Sequence, residues 1–308
     1  MPAPLFSRRN LIIGAAASSL LPPPAFAQQG DALSFLVVGD WGEPSATLQR
    51  QVARAMAEVA REIGSAFVIS TGDNFYTDGV RSVRDPQWAS TFEAVFDDPA
   101  LQTPWYAVLG NHDYRGAPAA QVAYTERSFR WRMRDRYWRE DMRVGGQTVS
   151  FYFMDTTPLT HLDTAKAYVP LLGDRNEAWR QIEWFGRTLS GRPADWNIVV
   201  GHHPVLSSGA HGGSPPLQRH IQPLLEQFHA AVYFNGHDHD LEHLQANGVN
   251  YFCSGAGSEP RPISTGVNSR FAYSGGGFAS CRLDHDALRV TFHAASGAAL
   301  YTTSVARR

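Results

Sequence analysis

The chain has 308 residues, 43% hydrophobic and 18% charged, which is enough apolar content for a full core and unlike the composition of a disordered protein. Its 27 basic and 29 acidic side chains nearly cancel, which argues against a general nucleic-acid binder. Its two cysteines, Cys253 and Cys281, lie in apolar, strand-like runs and read as unpaired buried thiols, with a disulfide as the alternative.

Residues 1 to 27 carry the pattern of an export signal. Arg8-Arg9 precede an apolar run from Leu11 to Leu21, and Ala25-Phe26-Ala27 supplies a small-x-small cleavage site. Ser7-Arg8-Arg9-Asn10-Leu11-Ile12 resembles a twin-arginine signal, and an ordinary secretory signal is the alternative. Either reading makes residues 28 to 308 one exported catalytic domain, periplasmic or secreted, with no membrane anchor once the signal is gone. Removal of the signal leaves 25 basic against 29 acidic side chains.

Ser34 to Val38 reads as a strand covered on both faces, and residues 45 to 63 follow with helical spacing of Leu48, Val52, Ala55, Val59 and Ile63 before Gly64. A second strand is expected over Ala66 to Ser70, a helix over 87 to 96 and a third strand over Trp105 to Leu109. Seven arginines interleave with aromatics between Arg127 and Arg143. That stretch reads as a helix that packs Phe129, Trp131, Tyr137 and Trp138 and exposes its arginines, because acidic residues interrupt the charge. Val149 to Met154 is the next strand, and residues 158 to 175 are expected to be a loop.

Helices are expected over Glu177 to Leu189 and Pro216 to Phe228, with a strand from Asn197 to Val200 between them. After Val232 to Phe234 the pattern becomes antiparallel: Leu241 to Gln245, the turn Asn247-Gly248, and Val249 to Cys253. Residues 259 to 275 are expected to be a loop, and three short strands finish the chain: Phe278 to Leu283, Leu288 to Ala294 and Leu300 to Val305. Strand and helix alternate first and strands dominate last, which predicts two sheets packed face to face with helices outside.

Five of the strands close in the same manner, with an apolar run, a glycine, and then a side chain able to hold a metal. The stretches are Gly39-Asp40, Gly72-Asp73-Asn74-Phe75-Tyr76, Gly110-Asn111-His112, Gly201-His202-His203 and Gly236-His237-Asp238-His239. Open α/β sheets place functional residues beyond the carboxyl ends of their strands, so these stretches are expected to meet at one site. Oxygen and nitrogen donors without a thiolate favour iron, zinc or manganese. Seven donors exceed the needs of one ion and suit two, roughly 3.5 to 4 Å apart with a shared carboxylate.

These motifs, with Asp113, Pro204 and Ser254-Gly255-Ala256-Gly257, resemble those of the purple acid phosphatases, and most closely the small, tartrate-resistant type. The resemblance implies the calcineurin-like metallophosphatase fold, a four-layer αββα sandwich. It also implies that Asp40, Tyr76 and His239 bind one metal, that Asn111, His202 and His237 bind a second, and that Asp73 bridges them. His112 and His211 match the substrate-facing histidines. His203 stands where mammalian members usually carry Tyr, and its role stays open.

The implied reaction is hydrolysis of phosphate monoesters by a metal-bound hydroxide, with His112 or His211 protonating the leaving group and Asp113 orienting His112. A phenolate ligand favours Fe(III), paired with a divalent Zn, Mn or Fe ion. A metallophosphodiesterase or nucleotidase of the same fold is the alternative enzyme, although it would normally carry Asp-x-His where Gly42 follows Asp40 here. A non-catalytic metal or nucleic-acid binder using the arginine-rich stretch is the alternative of another class.

Overall fold

In the computed structural model, residues 30–43, 47–164, 168–169, 173–191 and 194–307 are described. The expected export signal therefore lies outside the described residues, as do parts of the loop 158 to 175. The continuous apolar runs form the parallel strands at the centres of two sheets. In the first sheet β1 (Leu33–Val38), β2 (Val68–Ser70), β3 (Trp105–Ala107) and β4 (Trp131–Arg132) run parallel. All six residues of β1 are buried, as expected of a strand covered on both faces.

The remaining strands, in chain order, are β5 (Trp138–Val144), β6 (Gln147–Phe153), the ribbon pair β7 (Tyr168–Val169) and β8 (Gly173–Asp174), β9 (Trp196–Val200) and β10 (Val232–Asn235). They continue with β11 (Leu241–Ala246), β12 (Val249–Ser254), β13 (Ser269–Tyr273), β14 (Gly277–Leu283), β15 (Ala287–Ala294) and β16 (Ala299–Ala306). The first sheet is ordered β16-β15-β14-β1-β2-β3-β4, and the second β13-β11-β12-β10-β9-β6-β5. In the second sheet β6, β9, β10 and β12 are parallel, and the outer strands are antiparallel.

Aromatic side chains fill the space between the sheets. Phe35 stacks on Phe67 at 5.0 Å and meets Phe151 edge-on at 5.7 Å and Phe234 at 6.3 Å, which joins β1 to β6 and β10. Each such ring contributes about 2 to 3 kcal/mol through burial. Helix α1 (Thr47–Ile63) lays Val52, Met56 and Val59 on the first sheet. On the outer face of the second sheet, Phe185 and Leu189 of α3 (Arg175–Gly191) pack with Tyr152 and Val199. The layers are thus helix, sheet, sheet, helix, the metallophosphatase sandwich.

Four expectations are corrected. The arginine-rich stretch is not a helix but β4, a turn and β5. In β5, Trp138, Glu140, Met142 and Val144 point inward while Arg139, Asp141 and Arg143 alternate outward, a period of two that the arginines obscure. Residues 87 to 96 hold one π-turn, Trp88–Glu93, in place of an α-helix. The helix expected over Pro216 to Phe228 is two, α4 (Pro215–His220) and α5 (Gln222–Gln227), after α2 (Pro118–Tyr124) earlier in the chain. Pro223 lacks the N–H that a continuous helix would need and suits the first turn of a new one. Finally, residues 269 to 273, read as part of a loop, add β13 to the edge of β11.

Candidate metal centre

Every parallel strand that carries a motif ends on the same edge of the sandwich, so all seven expected donors converge there. Tyr76 Oη lies 3.0 Å from Asp40 Oδ1, 3.0 Å from Asp73 Oδ2 and 3.2 Å from His239 Nε2. His202 Nε2 lies 3.1 Å from Asn111 Oδ1, 3.3 Å from His237 Nδ1 and 3.4 Å from Asp73 Oδ2. These are two donor sets that share one carboxylate oxygen of Asp73.

Tight backbone turns allow this convergence. Asp40, Asp73 and His237 have φ of 55°, 48° and 72°, the left-handed region that side chains other than glycine rarely adopt. Gly110 passes so close to Asp73 that a Cβ there would lie 2.1 Å from Asp73 Oδ1. Gly72, with φ of 97°, passes under the ring of His202, where a Cβ would come within 2.7 Å of Nδ1.

The arrangement of lone pairs shows that a cation fits. His202 Nδ1 donates to the Thr71 carbonyl at 3.0 Å, so Nε2 turns its lone pair toward the oxygens of Asn111 and Asp73 and toward His237 Nδ1. Acceptors facing acceptors in a buried pocket need a positive charge between them, either a metal ion or a proton on Nε2. Burial, and then the neighbouring Asp73 and Asp40 carboxylates, push the Tyr76 phenol well above its usual range. Burial raises Asp40 as well, against the pull of His202, whereas His202 holds Asp73 low despite burial. His202 is itself raised to about 9, its burial outweighed by the two carboxylates, while burial and the surrounding imidazoles push His237 well below its usual range.

His112 and His211 border the same cavity, whose volume is about 160 Å³. His112 Nδ1 donates to the Thr77 carbonyl at 2.7 Å, and His211 Nδ1 donates to Asp238 Oδ1 at 2.9 Å. In both rings Nε2 is the nitrogen turned toward the cavity, and that of His211 also lies 3.3 Å from the Arg261 guanidinium. Asp113 does not orient His112, which corrects that expectation. Its buried carboxylate instead accepts from the backbone N–H groups of Gly110, Asn74 and Phe75 and from the side chains of Asn74 and Gln121. Burial, with Asp73 nearby, pushes it up to about 7 against these donors.

His203 is buried beside the site, its ring 4.5 Å from that of His237 and its Nδ1 3.0 Å from Thr156 Oγ1. Burial, then His202, holds it neutral, well below its usual range. Sequence reasoning missed three contributors. Thr156 accepts from the backbone N–H of both His202 and His203. Arg115 and Arg261 line the cavity mouth. Thr156 follows β6, whose ending carries no glycine, and Arg261 lies in a stretch without periodicity, so neither gave a signal.

A two-sheet sandwich with convergent oxygen and nitrogen donors at its strand ends defines a metal-dependent phosphoester hydrolase. The family model for calcineurin-like phosphoesterases matches residues 33–241. Purple acid phosphatase 3 of Arabidopsis thaliana is 35% identical over 87% of this chain and 76% of its own length. Tartrate-resistant acid phosphatase type 5 of Oryctolagus cuniculus is 37% identical, covering 90% of this chain and 91% of its own. Among solved structures, GAP50, described as the anchor in the inner membrane complex of Plasmodium, superposes with a TM-score of 0.79 at 26% identity, covering 90% of this chain and 89% of its own.

The chain belongs to the calcineurin-like phosphoesterases and, within them, to the purple acid phosphatases. It is a phosphomonoester hydrolase of the dinuclear-metal type.

Proposed function

We propose that Asp40, Tyr76 and His239 hold one ion, that Asn111, His202 and His237 hold the other, and that Asp73 bridges them. The observation that carries this reading is the position of Asp73 Oδ2, 3.0 Å from Tyr76 Oη in one set and 3.4 Å from His202 Nε2 in the other. A phenolate in the first set favours Fe(III), and the imidazole and amide donors of the second suit a divalent Zn, Mn or Fe ion. When bound, such a pair supplies Lewis-acid stabilisation of the phosphate and lowers the pKa of water.

The protein's own groups do the rest. His112 and His211 serve the leaving group, because each is fixed through Nδ1 with Nε2 turned toward the cavity, that of His211 beside the Arg261 guanidinium. Asp238, 1% exposed, accepts from both the backbone N–H and Nδ1 of His211, which fixes the ring and its tautomer. Asp73 and Asp40 are buried at the floor, and His211, with its side chain 40% exposed, stands at the more open rim. Residues 1 to 27 direct export, so that the enzyme acts outside the cytoplasm.

Metal analysis and a visible spectrum of purified protein, together with turnover of an aryl phosphate, test this reading. Asp73→Asn is expected to lower metal content at both positions. Loss of one equivalent with the other tightly retained would rule out the bridge.

A further inference from the structure

Two guanidinium groups stand at the mouth of the cavity without firm counter-ions. Arg115 ends the short turn Asp113–Arg115 that follows His112, and its exposed side chain forms no ion pair among the described residues. Arg261 is held by its backbone: its N–H donates to the His239 carbonyl at 2.7 Å, and its own carbonyl accepts from Ser274 Oγ at 2.8 Å. Its guanidinium ends 3.3 Å from His211 Nε2. The acidic partner recorded for it is Glu259, at 3.8 Å and two-thirds exposed.

The cavity is therefore two-tiered. The lower tier is made of groups nearly cut off from water, such as Asp73 at 2% exposure, and it faces the reacting phosphate. The upper tier, where the Arg261 side chain is 36% exposed, carries positive charge that forms no ion pair with the lower tier among the described residues. A guanidinium can only donate, so His211 Nε2 accepts from one N–H of Arg261 and the remaining N–H groups of that fork are open to an anion. Arg is also the side chain whose planar fork matches a phosphate in two parallel hydrogen bonds.

We propose that Arg115 and Arg261 form a subsite for a second phosphate on the substrate, so that the enzyme favours monoesters whose leaving group is itself phosphorylated. This rests on the phosphomonoester reading above. In the reaction a water oxygen bonds to the scissile phosphorus, the bond from phosphorus to the ester oxygen breaks, and a proton ends on that oxygen. The second phosphate stays intact between the two arginines.

The test uses metal-loaded enzyme, with circular dichroism and metal content as controls on folding. For the wild type, Arg115→Gln, Arg261→Gln and Arg261→Lys, calorimetry gives the affinity ratio of methylenediphosphonate to methylphosphonate. Kinetics give the kcat/KM ratio of glycerol bisphosphate to glycerol monophosphate. Because each Gln variant removes a charge-assisted hydrogen bond to the second phosphate, it should lower both ratios by roughly 10-fold or more. Arg261→Lys should recover part of that loss.

Equal losses for one-phosphate and two-phosphate ligands would overturn the subsite and assign Arg261 to the reacting phosphate or to His211. Unchanged ratios would also overturn it. Failure of the wild type to hydrolyse either ester would refute the phosphatase reading, and the phosphonate affinity ratio, measured without turnover, would still decide the subsite.

Discussion

Asp238 acts through His211. Its carboxylate is buried and takes three bonds, from the His211 backbone, from His211 Nδ1 at 2.9 Å and from Ser207 Oγ at 2.5 Å. An anion in that position anchors Nδ1–H and holds the ring with Nε2 toward the cavity, where it can serve the leaving group. Asp238→Asn keeps the shape and removes the charge. The variant should therefore slow an alkyl phosphate, whose alkoxide leaves poorly, by roughly 10² to 10⁴ in kcat. A nitrophenyl phosphate, whose leaving anion needs little help, should lose far less. Parallel losses on the two substrates would mean that Asp238 serves only to hold the loop.

At the scale of elements, the end of β6 grips the end of β9. Thr156 Oγ1 accepts from the N–H of His202 at 3.2 Å and of His203 at 2.9 Å, so one hydroxyl sets the turn that carries a candidate ligand. Thr156→Val is nearly isosteric and leaves two buried N–H groups without this acceptor. Each such group costs about 1 to 3 kcal/mol, so a clear fall in the urea midpoint is expected, with loss of metal from the His202 set before the Tyr76 set. Unaltered stability and metal content would remove Thr156 from the site's support.

The same junction shows what the sequence could and could not reveal. The five strand ends were legible because each couples an apolar run to a glycine and a polar side chain, a local pattern set by the geometry of a buried strand meeting a tight turn. Thr156 was not, since Met154-Asp155-Thr156-Thr157 gives no turn signal and its partner lies forty-six residues away. β5 reads as a helix in the sequence because its arginines pass for the exposed side of a helix, when Arg139, Asp141 and Arg143 are one face of an alternating strand. Arg261 depends on how the loop after β12 folds back over His239, a contact made by backbone atoms and therefore silent in side-chain chemistry.

Across the whole molecule the two sheets are held together without a disulfide between the described residues. Cys253 on β12 and Cys281 on β14 belong to different sheets, and both are free and buried. Burial raises both thiols well above their usual range, which suppresses the reactive thiolate. A thiol reagent should find no cysteine in the native protein and two after denaturation, with or without a reductant. Two equivalents that appear only after reduction would reveal a disulfide.

A polar tie between the sheets gives the fold a dependence on pH that is separate from the metal centre. His243 of β11 in the second sheet lies 3.0 Å through Nδ1 from Tyr301 Oη of β16 in the first, and 3.1 Å through Nε2 from Asn250 Oδ1. The Asn250 amide donates to the Ala231 carbonyl, so its oxygen accepts from Nε2–H and the Tyr301 hydroxyl donates to Nδ1. The ring, 3% exposed and stacked on Phe252 at 4.3 Å, is thus satisfied while neutral. Burial pushes its pKa from 6.5 down to about 4. Because the unfolded chain binds a proton that the folded one refuses between those values, His243 contributes stability in full above about pH 6.5. That contribution falls away as the pH drops toward 4, by up to about 3 kcal/mol at 1.36 kcal/mol per pK unit. His243→Gln cannot titrate, so its unfolding free energy should decline less steeply than that of the wild type from pH 6.5 to 4. Measuring both proteins at each pH with the same metal loading cancels the contribution of the metal centre, and identical slopes would show that His243 does not set the acid limit of the fold.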